Sequence, residues 1–237
     1  MKKMVIFIIF ILTALSCSTS SPIDRMKHDL NRYSEYTIML QDMKKDGNFF
    51  PSYYHRYKIV YADDTGTEED PVYQSEITDW HKVDKRTFYD YSNFLGMVVA
   101  SKTRDGGISD SQHPPGYQYV GNPRYGQWRN DSRGGSFWEF YGKYAMLSTV
   151  LGMFRRPIYR GDWDNYRRYS SSGRPYYGQN REYGTNGSYT KQTNRSFFQR
   201  RRERDLARRT RFSDRVGSRV RRSNMSGFRR RSFGFGK

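Results

Sequence analysis

Residues 53–62 read YYHRYKIVYA. Aromatic and β-branched side chains dominate the stretch, and Tyr53, His55, Tyr57, Ile59 and Tyr61 share one face at the two-residue period of a strand. Asp63-Asp64-Thr65-Gly66 follows with turn chemistry. Residues 72–78 then return as the second strand of a hairpin. Five carboxylates (Asp63, Asp64, Glu68, Glu69 and Asp70) crowd the connection, but not at the alternating positions of an EF-hand loop. A solvated hairpin loop is the plain reading; weak calcium binding and docking of the basic tail are the alternatives.

Upstream, Ser21-Pro22-Ile23-Asp24 has the form of a helix start, with Ser as N-cap, Pro at the first helical position and an acid in the first turn. Ile23, Met26, Leu30, Tyr33, Thr37 and Leu40 follow at spacings of three and four. Lys44-Lys45 and Gly47 suit its end, so the spacing predicts a helix of about 24 residues. Downstream, residues 84–100 read as helix, with Phe88, Tyr91, Leu95 and Val98 or Val99 on one side. Residues 103–133 are rich in Gly and Pro and read as loop, their tyrosines and Trp128 lying over the domain with rings buried. Residues 137–154, FWEFYGKYAMLSTVLGMF, are the most apolar stretch after the N-terminus. A buried helix is the reading preferred over a membrane-surface helix or a span, since Glu139 and Lys143 are costly in hydrocarbon. The expected class is α+β: a small aromatic-rich domain over residues 22–154, made of an N-terminal helix, a β-hairpin and two further helices.

The net charge of the 237 residues is +18. Residues 155–237 hold 24 basic and 6 acidic residues, so the whole excess lies there. Residues 159–189 mix Tyr, Arg, Gly, Asn and Ser with little aliphatic content, and such a composition does not offset ordering entropy by burial. The expectation is a disordered Arg/Tyr-rich tail over 155–237. Within it, residues 200–222 could turn helical on an anionic surface. Arginine pairs bidentately with phosphate and carboxylate, which makes Arg200, Arg201, Arg202, Arg208, Arg209, Arg221, Arg222, Arg229, Arg230 and Arg231 the candidate anion-binding residues.

The N-terminus carries a different message. Met1-Lys2-Lys3 is positive, MVIFIIFIL over residues 4–12 is unbroken apolar sequence, and Ala14-Leu15-Ser16 leads into Cys17, the only cysteine. Nine apolar residues are too few for a span, which takes about 20, but suit a signal-peptide core. The tetrapeptide Ala14-Leu15-Ser16-Cys17 resembles the lipobox of bacterial lipoproteins, with Ala14 in place of the usual Leu. The resemblance covers only the first 20 or so residues. It implies a signal peptide over residues 1–16, cleavage before Cys17, acylation of its sulfur, and residues 17–21 as a tether. Contact with membrane lipid would then run through the acylated Cys17, and Ser18 would direct the protein to the outer membrane of a Gram-negative cell. A plain secretory peptide and an uncleaved anchor are the alternatives.

One cysteine excludes internal disulfides and metal sites built from several thiolates. There is no glycine-rich phosphate loop, GxSxG or HExxH, and His28, His55, His81 and His113 lack metal-like spacing, so no cofactor is expected. The sequence points to a membrane-anchored envelope protein with a non-enzymatic role, its basic tail on an anionic polymer such as lipid A phosphate, acidic glycan or nucleic acid. An envelope-modifying hydrolase with its site near His113 is the second reading. A nucleic-acid-binding protein with an uncleaved N-terminal anchor is the third.

Overall fold

In the computed structural model, the described residues are 21–47, 49–63, 72–152 and 157–228, with side chains described as far as residue 219. Ser21 caps the first helix, α1 (Pro22–Leu30): its hydroxyl accepts the Asp24 amide at 3.1 Å, and Pro22 opens the first turn. The apolar face of α1, Ile23, Met26 and Leu30, is buried. The helix stops there, about fifteen residues short of the expected end near Lys45, and the chain turns into strand β1 (Tyr36–Asp46). Tyr36, Thr37 and Ile38 favour a pleated backbone, and β1 lies between two other strands with Tyr36 to Leu40 buried without alternation. A strand covered on both faces carries no two-residue rhythm, and the continuing spacing of Tyr33, Thr37 and Leu40 imitated a helix.

The hairpin forms as expected. Strand β2 (Ser52–Asp63) alternates buried and half-buried residues along most of its length and pairs antiparallel with β3 (Val72–Ile77). The carboxylates after Asp63 in the connecting loop lie outside the described residues. β2 also pairs with β1, with a bulge between Leu40 and Asp42, and with the short β4 (His81–Val83).

Asp84 caps α2 (Lys85–Asp90), its Oδ1 accepting the Thr87 amide at 2.9 Å. The expected helix over 84–100 ends after this turn and a half. The chain turns, and Val98–Lys102 forms β5, paired with β1. Its first four residues, Val98-Val99-Ala100-Ser101, are fully buried, again the pattern of a strand covered on both sides. The short β6 (Ile108–Ser109) completes the sheet, ordered β3-β2-β1-β5-β6.

Residues 103–133 are mainly loop, and Tyr117, Tyr119 and Tyr125 are buried as expected. The stretch also contributes β7 (Gly126–Asn130), which pairs with β8 (Ser136–Phe140) in a second, two-stranded sheet. Residues 137–154 therefore do not form one helix: a strand comes first, then a tight turn at Gly142–Tyr144, then the short α3 (Ala145–Val150). Leu147 and Leu151 on that last piece enter the main core beside Val60, Tyr73, Val98 and Tyr144.

The largest departure lies beyond residue 156. Instead of disorder, residues 160–193 hold α4 (Arg160–Ser171), a pinned loop and α5 (Ser188–Thr193). The described residues from 21 to 193 form one compact unit. Its second core joins Tyr166 and Tyr176 to Tyr117, Val120, Trp138 and Ile158. Tyrosine rings bury large apolar area while their hydroxyls find partners, and here Tyr117 and Tyr176 both donate to the Asp162 carboxylate. The second unit, from Asn194 onward, contains the 34-residue α6 (Arg195–Phe228). The protein is α+β.

Candidate anion-binding surfaces

At 100° per residue, Arg201, Arg204, Arg208, Arg211, Arg215 and Arg219 fall within about 80° of the circumference of α6, over a rise of about 27 Å. Five of the six are exposed; Arg204 is half-buried, and its Nε donates to the Arg200 carbonyl at 3.3 Å. Exposed Phe212 and Val216 follow the arginine row around the helix. Of the candidate residues read from the sequence, Arg201 and Arg208 belong to this row, Arg202 and Arg209 are exposed away from it, and Arg200 is half-buried. Arg221 and Arg222 lie within α6 but their side chains, like Arg229, Arg230, Arg231 and Cys17, are outside the described residues. The row also includes Arg204, Arg211, Arg215 and Arg219, beyond the sequence candidates; its spacings of three and four are legible in the sequence.

The first unit carries a separate basic concavity. The C-terminal half of α4 and the loop from Arg174 to Gly187 enclose a cleft of about 750 Å³. Arg168, Arg174 and Arg181 line it, with no carboxylate in the lining and no ion pair to any of the three among the described residues. Asn93, Asn165, Gln179 and Asn186 add carboxamides, and the walls are tyrosines. The loop is anchored firmly. The Tyr176 amide donates to the Gln112 carbonyl at 2.9 Å, and the Thr185 amide to the Asn93 carbonyl at 3.0 Å. The Thr185 hydroxyl donates to the Ser92 carbonyl at 2.6 Å. Nothing in the sequence points here, because the low aliphatic content of residues 159–189 predicts disorder for the segment.

His113 sits elsewhere, fully buried. Its Nδ1 is 2.8 Å from the Ser111 carbonyl and its Nε2 is 3.1 Å from the Gln118 side-chain oxygen. Gln118 in turn donates to Thr37 at 2.9 Å, whose hydroxyl meets Tyr119 at 3.0 Å. Burial holds the imidazole below its ordinary pKa. No carboxylate touches the ring among the described residues. The convergence that a general base needs, a positioned acid partner and an open approach for substrate, is not built around it.

Glu35 is the most deeply buried carboxylate among the described residues. It accepts the Tyr73 hydroxyl at 2.7 Å and the Tyr125 hydroxyl at 2.8 Å, and Arg104 stands 3.3 Å away. The pair is enclosed, Arg104 being only 16% exposed, so it works as a structural clasp between β1, β3 and the loop after β5. Among the described residues no three His, Cys, Asp or Glu side chains gather as a metal site, and no helix is long and apolar enough to cross a membrane. No family model, curated protein or solved structure matches the chain, which leaves its own surfaces to carry the functional reading.

Proposed function

We propose that this chain is a non-enzymatic binding protein of the bacterial envelope, held to the membrane through acyl chains on Cys17 and gripping an anionic polymer through α6. The single observation that supports the polymer contact most directly is the row of arginines along one face of that helix. A linear polyanion laid along the row meets a guanidinium about every 5 Å, the rise per helical turn. Each contact is weak in water, but their sum is large and salt-sensitive. Several acyl chains on one residue anchor a protein stably where a single chain does not. The tether then raises the local concentration of arginines at the membrane surface. Residues 195–237 carry little aliphatic content, and on this reading the helix owes part of its order to the polymer that neutralises it.

Two measurements test the reading. The first is the intact mass of the protein from its native membrane beside a Cys17→Ser variant: a chain beginning at Cys17 with added acyl mass, lost in the variant, is expected. A full-length unacylated chain overturns the anchor. The second is retention on lipid A, acidic glycan or duplex DNA between about 50 and 300 mM salt, for the full chain and for a chain ending at Thr193. Engagement of six arginines on duplex DNA gives a log–log salt slope of about −5. Salt-independent retention, or equal retention by the chain ending at Thr193, overturns the polymer contact.

A further inference from the structure

The cleft between α4 and the loop from Arg174 to Gly187 is independent of α6 and has its own chemistry. Three arginines open into it without a carboxylate partner among the described residues, and arginine forks are matched to carboxylate, sulfate and phosphate groups. Arg181 is held at φ +52, in the left-handed region, the only non-glycine residue so placed among the described residues. That conformation costs about 1–2 kcal/mol, and Arg181 lines the cleft with its charge acting on the neighbouring Tyr177. Carboxamides at Asn165 and Asn186 each offer a donor and an acceptor, a pairing suited to hydroxyl groups.

The tyrosines decide between ligand classes. Tyr169 is covered on one face by the Arg174 guanidinium at 4.9 Å. Tyr177 stacks on Phe94 at 6.1 Å, and Tyr183 packs on Tyr189 at 5.1 Å. Single-stranded nucleic acid is held by stacking bases on free aromatic faces, and each of these rings already has one packing partner. A volume of about 750 Å³ lies in the usual range for small-ligand sites, and the lining asks for an anion that is also rich in hydroxyl groups.

We propose that this cleft binds an acidic oligosaccharide, its anionic groups on Arg168, Arg174 and Arg181 and its hydroxyls on Asn165 and Asn186. The site lies wholly within the first unit, so the proposal stands or falls apart from the polymer contact of α6.

Calorimetric titration of the full chain with a panel of trisaccharides tests it: one carboxylated, one sulfated and one neutral. An acidic member is expected to bind at least tenfold more tightly than the neutral one, as the loss of charge-assisted contacts implies. The variant Arg168→Gln/Arg174→Gln/Arg181→Gly loses that preference, and Asn186→Ala weakens binding while keeping it. Arg181→Gly alone relieves the left-handed strain, so it retains the fold and isolates the loss of the anion contact. Failure of both acidic trisaccharides to bind overturns the proposal, as does equal binding by the cleft variant. Tighter, cleft-dependent binding of a short oligothymidylate overturns it in favour of nucleic acid.

Discussion

The fully buried Glu35 carboxylate accepts the Tyr125 hydroxyl at 2.8 Å. The two residues are 90 positions apart in the chain, and their bond fixes the loop before β7 against the start of β1. Tyr73 and Arg104 complete the clasp. Hydrogen bonds to a charged group contribute about 1.5–3 kcal/mol each. Tyr125→Phe is expected to lower stability by about that amount in urea unfolding. Glu35→Ala should cost more, about 3–5 kcal/mol, because it leaves Arg104 buried without its partner. Equal, small losses for the two variants would show that the clasp is not a coupled unit.

Gly121 has φ +80, and a β-carbon placed on it would stand 2.1 Å from the Trp163 ring. Gly134 has the same φ of +80 but open space around it. Gly134→Ala therefore reports the left-handed backbone cost alone, about 1–2 kcal/mol. Gly121→Ala adds displacement of Trp163 from the second core, about 1–3 kcal/mol more. Thermal melting should separate the two, and only Gly121→Ala should alter tryptophan fluorescence. Identical melting points would mean that residues 157–193 are not packed against the loop after β6.

How far the fold was legible follows from such contacts. The β2–β3 hairpin could be read because one face of β2 is covered and the other half-open, so Tyr53, Tyr57 and Ile59 keep a period of two. β1 and β5 could not, because burial of both faces erases that period. Residues 160–187 were misread for another reason. Their apolar area is carried by Trp163, Tyr166 and Tyr176, and a count of aliphatic residues overlooks it. The ring hydroxyls of Tyr117 and Tyr176 need Asp162, a partner that no local pattern names. The cleft arginines went unnoticed with the segment that carries them, whereas the arginine row on α6 needs only the 3.6-residue period and was readable.

His55 lies fully buried on β2, with Nδ1 3.1 Å from the Tyr57 hydroxyl and no partner for Nε2 among the described residues. Burial pushes its pKa down to about 4. The unfolded chain takes up this proton near pH 6.5 and the native state only near 4, so the contribution to stability is complete above 6.5. It declines as the pH falls through that window, by about 3 kcal/mol in all. His113, shifted the same way by burial, adds to the slope. Unfolding free energies measured from pH 7 to 4 should fall steeply, and His55→Gln should flatten part of the fall. A profile unchanged by that substitution would assign the acid sensitivity to other groups.

The arrangement of charge on α6, as distinct from its amount, has a direct test. Arg208 and Arg215 belong to the row within about 80° of the circumference, while Arg202 and Arg209 stand about 80–180° away from its members. Replacing either pair with Gln removes two charges from the same helix. If a polyanion lies along the row, Arg208→Gln/Arg215→Gln lowers the magnitude of the salt slope by about 2 on duplex DNA, one contact per arginine. Arg202→Gln/Arg209→Gln then weakens retention only through the general field, which falls off within about 10 Å in ordinary buffers. Equal slopes for the two variants would mean that α6 attracts its polymer as a diffuse cloud of charge, and the helical geometry would then have no part in recognition.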